Sequence, residues 1–243
     1  MTSPKAKITY LFHSGYAVET QQHLFIFDYY QPGASRRGGL TDGIITADYL
    51  KEKANVFVFV SHSHQDHFDP VIFEWAKTNP AITYVLSSDI RSQVKVPHYH
   101  IMSPYQKWKQ EAIEVQTFGS TDEGLSFLVR ADGLSIFHAG DLNWWHWKGE
   151  TKAERDYADS IFKAEMEKIG SEAIDIAFFP VDRRLEEFYC IGAEYFAAQT
   201  QPKLLLPMHF GDDFGASKAF AEKVKNTPLT TVEITRRGQE ILF

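Results

Sequence analysis

Apolar and polar positions are arranged in short runs through the first half of the chain. Residues 8–12 and 17–20 read as strands separated by a turn at His13-Ser14-Gly15, and Leu24–Phe27 follows, ending at Asp28. Val56-Phe57-Val58-Phe59-Val60 is uninterrupted and rich in β-branched and aromatic residues, the pattern of a strand buried on both faces. Asp69 and Pro70 then open a helix through Lys77, as N-cap and first helical residue. Strands are predicted at residues 83–86, Ile113–Phe118, 125–130 and Leu134–His138, with Asp132-Gly133 marking a hairpin between the last two. Residues 150–169 are polar but carry Ala153, Tyr157, Ile161, Phe162, Ala164 and Met166 at helical spacing, stopped by Gly170. A buried strand at 174–179 ends at Pro180, followed by a helix at Ile191–Thr200, a short strand at 204–206 and a helix at 216–226. A final strand pair is assigned to 231–234 and Glu240–Leu242.

Strands thus come in runs and alternate with helices only toward the end. No internal repeat, low-complexity tract or linker interrupts residues 1–243, so a single α/β (α+β) domain of two mixed sheets with outer helices is expected. The Gly-rich polar stretch from residue 31 to 43, with Arg36, Arg37, Gly38 and Gly39, lacks a core pattern and reads as a surface loop framing a site. Hydrophobic residues make up 44% and charged residues 23%, enough for a core without disulfides. Cys190 is the single cysteine, which points to a reducing, cytoplasmic setting. A formal charge of −7 without a basic segment argues against nucleic acid as a partner and leaves a small-molecule substrate. The segment from Met1 to Lys7 runs into an apolar stretch broken by His13 and Ser14, unlike a signal peptide. No apolar run approaches the ~20 residues of a membrane helix. Self-association is left open.

Chemistry concentrates at His62-Ser63-His64-Gln65-Asp66-His67, immediately after a buried strand. Imidazole and carboxylate are good ligands for zinc, iron and manganese. If the loop starts extended, His62 and His64 share one side, and Asp66 and His67 reach past them to a second position. A merely polar loop, with Asp66 as a turn residue and His67 exposed, would not require ligands at this density.

His-x-His-x-Asp-His after an apolar strand resembles the signature of the metallo-β-lactamase fold superfamily, in its wider metal-dependent hydrolase branch. The resemblance extends to Phe12-His13-Ser14-Gly15 before a strand ending in Asp28, to His138-Ala139-Gly140-Asp141, and to Pro207-Met208-His209-Phe210. It implies a four-layer αββα sandwich and two adjacent metal sites. His62 and His64 would serve the first, Asp66, His67 and His209 the second, and Asp141 both. Zinc is the expected ion, with iron or manganese as alternatives. Asp66 would also orient the attacking water.

One feature of the family pattern is missing. A histidine expected between the first motif and Gly-Asp is replaced by Gly119 or Ser120. The first site could then be weak, leaving one metal on Asp66, His67, Asp141 and His209. Alternatively Asp122 or His146 substitutes, or water fills the position. The reading adopted is one firm site with an optional second. His13, His138 and His146 are proton-donor or supporting candidates by residue type. Trp144, within Asn143-Trp144-Trp145-His146-Trp147, either lines a pocket or packs in the core, and Arg183 in Asp182-Arg183-Arg184 either binds an anion or pairs with an acid. The branch includes lactone hydrolases and phosphodiesterases, so hydrolysis of a small ester, lactone or phosphodiester is expected. A nuclease of the same fold and a non-catalytic metal- or ligand-binding protein are the alternatives.

Overall fold

A computed structural model describes residues 4–33, 37–170 and 172–243; Arg36, read above as part of a framing loop, lies outside them, as do Met1, Thr2 and Ser3. The first half supplies β1 (Lys7–Phe12), β2 (Gly15–Glu19), β3 (Leu24–Phe27), a short helix α1 (Ala47–Lys51), β4 (Val56–Val60), β5 (Thr83–Ser87) and β6 (Tyr99–Met102). The remainder supplies β7 (Lys107–Gln110), β8 (Ile113–Phe118), β9 (Ser126–Ala131), β10 (Leu134–His138), α2 (Lys152–Ile169), β11 (Ile176–Pro180), α3 (Ile191–Thr200), β12 (Leu204–Met208), α4 (Phe214–Val224) and β13 (Glu240–Leu242).

Both sheets are mixed. One runs β13-β1-β2-β3-β4-β5-β6, antiparallel as far as β3 and parallel from β3 to β6. The other runs β12-β11-β10-β9-β8-β7, with β10, β11 and β12 parallel and the rest antiparallel. The two-residue period of a strand sorts the first sheet's side chains into two layers. Phe25, Phe27, Phe57 and Phe59 join the larger apolar cluster, which includes residues of the second sheet. Leu24, Ile26, Val56, Val58 and Val60 face outward and are covered by Leu50 of α1 and by Ile72, Phe73 and Trp75. Phe162 and Met166 of α2, Phe196 of α3 and Phe220 of α4 belong to the larger cluster, on the second sheet's side. The result is the four-layer arrangement of two mixed sheets between helices.

Three local departures from the sequence pattern have physical causes. Pro70–Lys77 is a 3-10 rather than an α-helix, capped as expected by Asp69 accepting from the Val71 N–H at 3.0 Å. Residues 231–234 form no strand, because the Ile234 N–H is taken by Ser217 Oγ of α4 at 2.7 Å, while β13 pairs with β1 instead. The edge strands β6 and β7 were not legible, since YHIM is only partly buried, KWKQ is largely exposed, and neither carries a buried alternation. No helix among the described residues is long and apolar enough to cross a membrane.

The parallel segments position the site. Loops leaving the C-terminal ends of β3, β4, β10, β11 and β12 carry Asp28, His62–His67, Asp141, Asp182 and His209, a usual arrangement for sites in parallel sheets. Gly140 is required where β10 turns into this region. Its φ is +55°, and a Cβ there would lie 2.7 Å from the Leu125 carbonyl oxygen and 2.8 Å from Ser61 Cβ. Gly140→Ala is therefore expected to cost more than about 1 kcal/mol in urea unfolding, because both the backbone angle and the space are lost. An unchanged denaturation midpoint would contradict this packing.

Candidate metal centre

Two groups of potential ligands converge at this end of the sheets. His13, Asp66, His67 and His209 form one, and His62, His64 and Asp141 the other; within each, the candidate ligand atoms lie within 4.8 Å of one another. Asp141 touches both groups. Its Oδ1 is 3.0 Å from His67 Nε2 and 3.3 Å from His209 Nε2, and its Oδ2 is 3.4 Å from His62 Nε2.

Hydrogen bonds behind the rings decide which nitrogen faces inward. Asp28 accepts from His67 Nδ1 at 2.7 Å and from the Ser61 N–H and hydroxyl at 2.7 and 2.6 Å. The Ser61 hydroxyl proton is thereby committed to Asp28, so His62 Nδ1 donates to Ser61 Oγ at 3.0 Å. His209 Nδ1 donates to Asp182 at 3.0 Å. Each ring is thus fixed with Nε2 turned toward Asp141. The Nε2 atoms of His13, His62 and His67 and the Asp141 Oδ1 are buried without a hydrogen-bond partner. Imidazole nitrogens and a carboxylate crowded into one buried space are what a bound cation would satisfy. The donor set of imidazoles and carboxylates fits zinc, iron or manganese.

Protonation of the centre follows from the same geometry. Burial opposes charge on His67, but the Asp141 and Asp28 carboxylates outweigh it and raise its pKa well above the imidazole range. His209 is raised likewise, burial being outweighed by Asp141 and Asp182. His13 is pushed down to about 4 by burial and by neighbouring His209. The adjacent His13 ring, opposed by partial burial, holds Asp66 well below the usual carboxylate range. Without a cation, His67 and His209 therefore carry the inward protons, and a metal must displace them. Metal binding is expected to release protons and to weaken as pH falls. The dependence should flatten only above the raised pKa of His67. Calorimetric titration in buffers of different ionisation enthalpy would read the release; an enthalpy identical in all buffers would refute it.

The other candidates sort clearly. His138 lies between Phe27 and Phe178, accepts from the Gly140 N–H at 3.2 Å and donates to the Ser14 carbonyl at 2.8 Å, so it packs behind the centre. His146 and Trp144 both turn away from the centre to Asp159, through Nε2 at 2.7 Å and Nε1 at 2.6 Å. Trp144 stacks on Phe162, which settles it as packing. Arg183 is a correction as well, since it pairs with Asp213 at 3.1 Å on the surface. Its neighbour Arg184 lines the cleft beside the centre, together with Trp145 and Trp147. Gly119 faces Glu165 and Tyr105 instead; a Cβ on it would run into the Glu165 carboxylate and lie 2.8 Å from the Tyr105 hydroxyl. Asp122 lines the cleft with His64 and Asp141 but belongs to neither ligand group. The roles of Asp28 and Asp182 and the inclusion of His13 were not read from the sequence. The acid at the end of β3 and the Phe12-His13-Ser14-Gly15 motif were the visible signals.

Two mixed sheets between helices, with a His/Asp centre at the ends of their strands, define a metallo-β-lactamase-fold protein. No protein-family model matches the chain. A curated UPF0173 metal-dependent hydrolase of Opitutus terrae is 26% identical over 226 residues, covering 85% of this chain and 86% of that protein. The structure of Igni18, a metallo hydrolase from Ignicoccus hospitalis, is similar with a TM-score of 0.71 at 18% identity over 98% of both chains. The metallo-β-lactamase fold protein YhfI from Bacillus subtilis gives a TM-score of 0.61 at 15% identity over the whole of both chains.

Proposed function

We propose that this metal-dependent hydrolase acts through a metal-activated water on a small ester, lactone or phosphodiester, with zinc as the ion. The observation that carries the reading is the convergence of buried ring nitrogens and carboxylate oxygens from His13, His62, His67 and Asp141 beside a cleft of about 620 Å³. That volume suits a small-molecule substrate. His13, Asp66, His67, His209 and Asp141 would hold the firm site, with His62, His64 and Asp141 as the optional second.

A bound metal would supply electrophilic activation of the scissile bond and of the attacking water near neutral pH. Asp66, ionised and reaching the cleft, would orient that water and accept its proton. His13 is neutral at pH 7 because burial and His209 depress it to about 4, which disfavours it as the leaving group's acid. Asp28 and Asp182 would hold His67 and His209 in the ligand tautomer. The lone, buried Cys190 supports a cytoplasmic setting as part of this reading.

Metal analysis of the purified protein, joined to a panel of esters, lactones and phosphodiesters, tests the proposal. The expected result is bound metal and turnover that chelation abolishes and zinc restores. Protein that stays inert after loading with zinc, iron or manganese would sink it.

A further inference from the structure

The cleft has two chemically different ends. His64, Asp66, Asp141 and His209 form the end at the metal centre. Trp145 and Trp147 of the loop after β10, with Tyr157, Ala158 and Ile161 of α2, form the other. The core face of α2 is Phe162, Glu165, Met166 and Ile169, so Tyr157, Ala158 and Ile161 make a second stripe that is not used for packing the fold. Tyr157 is 67% and Trp147 39% exposed, unusual for rings of this size. Trp145 joins the two ends. It stacks on Trp147 with ring centres 5.6 Å apart, lies edge-on to His209 at 5.3 Å, and donates from Nε1 to the Asp141 carbonyl at 3.0 Å.

Beyond the candidate ligands the charge of the cleft is one-sided. Asp122, Glu150 and Glu154 contribute carboxylates, and Arg184 is the cation among the described residues lining the cleft. That guanidinium is already engaged. Its Nε lies 2.9 Å from each oxygen of Asp182, and it sits over the Trp147 ring at 5.7 Å. An anionic group held away from the metal centre would meet these carboxylates and an arginine already paired with Asp182.

We propose, resting on the hydrolase reading, that the cleft selects substrates whose remote group is an uncharged or cationic ring or chain. Neutral aryl and alkyl esters and lactones fit this class, and esters with an anionic remote group do not. The rings of Trp145, Trp147 and Tyr157 supply the contact area, and the carboxylates repel anions.

The test compares zinc-loaded protein on nitrophenyl esters that share a leaving group but carry neutral, trimethylammonium or carboxylate acyl chains. The neutral and cationic esters should exceed the carboxylate ester by at least about tenfold in kcat/KM, and Trp147→Ala should raise KM for the neutral ester by about tenfold with little change in kcat. Asp122→Asn should narrow the gap between cationic and anionic esters. Preference for an anion, or an unchanged KM in Trp147→Ala, would overturn the proposal. If no substrate is cleaved, the hydrolase reading fails and binding decides the class by tryptophan fluorescence. Quenching by benzyl alcohol and benzyltrimethylammonium but not phenylphosphate would sustain it, and the reverse order would overturn it.

Discussion

Asp141→Asn is expected to remove metal from both ligand groups at once and to lower kcat/KM by more than the ~10–100-fold that outer-sphere changes cost. The reason is position. One carboxylate oxygen faces His67 and His209, and the other faces His62. An amide keeps the shape but has a single acceptor oxygen and no charge, and its N–H groups would donate to a ring nitrogen that should be left for the ion. By contrast, His64→Ala is expected to cost at most the optional second equivalent, because His64 is exposed and belongs to one group alone. Metal content by mass spectrometry, measured beside kcat/KM and circular dichroism, separates the outcomes. A folded Asp141→Asn protein with full metal and near-normal turnover would refute the shared role. The variant should also lose the metal's contribution to thermal stability, about 2.7 kcal/mol at a metal concentration 100 times Kd.

The sequence disclosed what is local and strongly patterned. Val56–Val60 is legible as a strand because both of its faces are buried. The hairpin at Asp132-Gly133 is legible because both residues adopt positive φ, 51° and 72°, as its turn requires. Edge strands such as Lys107–Gln110 owe their structure to pairing with a neighbour, which no local pattern records.

The centre divides along the same line. His62 to His67 lie on one loop, so their density alone announces a ligand cluster. His13 joins His209 only because long-range bonds pin the β1–β2 turn to the end of β12. Tyr16 Oη donates to the Pro207 carbonyl at 2.7 Å, Tyr10 Oη to the Gly211 carbonyl at 2.6 Å, and the His209 N–H to the His13 carbonyl at 3.0 Å. His13, Asp28 and His209 also adopt positive φ of 54°, 41° and 69°, which propensity does not favour and only the surrounding fold imposes. In the tryptophan segment the residues alternate. Trp145 and Trp147 face the cleft, while Trp144 and His146 face Asp159. The composition left pocket and packing both open, and the register that chooses between neighbours is set by the fold. The same one-residue ambiguity separates Arg184 from Arg183.

Asp28→Asn is expected to weaken metal binding by about 10–100-fold without touching a candidate ligand. Asp28 is fully buried and accepts three hydrogen bonds, from His67 Nδ1 and from the Ser61 N–H and hydroxyl. Burial disfavours its charge, yet the nearby His138 and His67 rings outweigh that and hold its pKa below the usual carboxylate value. Asparagine offers one acceptor oxygen to the same three donors. At least one donor is then unpaired or opposed by an N–H, at a cost of about 1–3 kcal/mol in unfolding free energy. If the amide N–H faces His67, the ring must accept at Nδ1, and its proton moves to Nε2, where it points at the ion. Raising the pH cannot rescue binding, because the fault is one of tautomer rather than ionisation. That separates the variant from simple proton competition, which higher pH relieves. Ser61→Ala removes the hydroxyl but leaves the N–H and His67 bonds to Asp28, so its metal affinity should fall less. Metal titrations of the two variants across pH, with urea unfolding alongside, would decide the matter; a folded Asp28→Asn protein with parental affinity would show that Asp28 does not hold His67 in its ligand form.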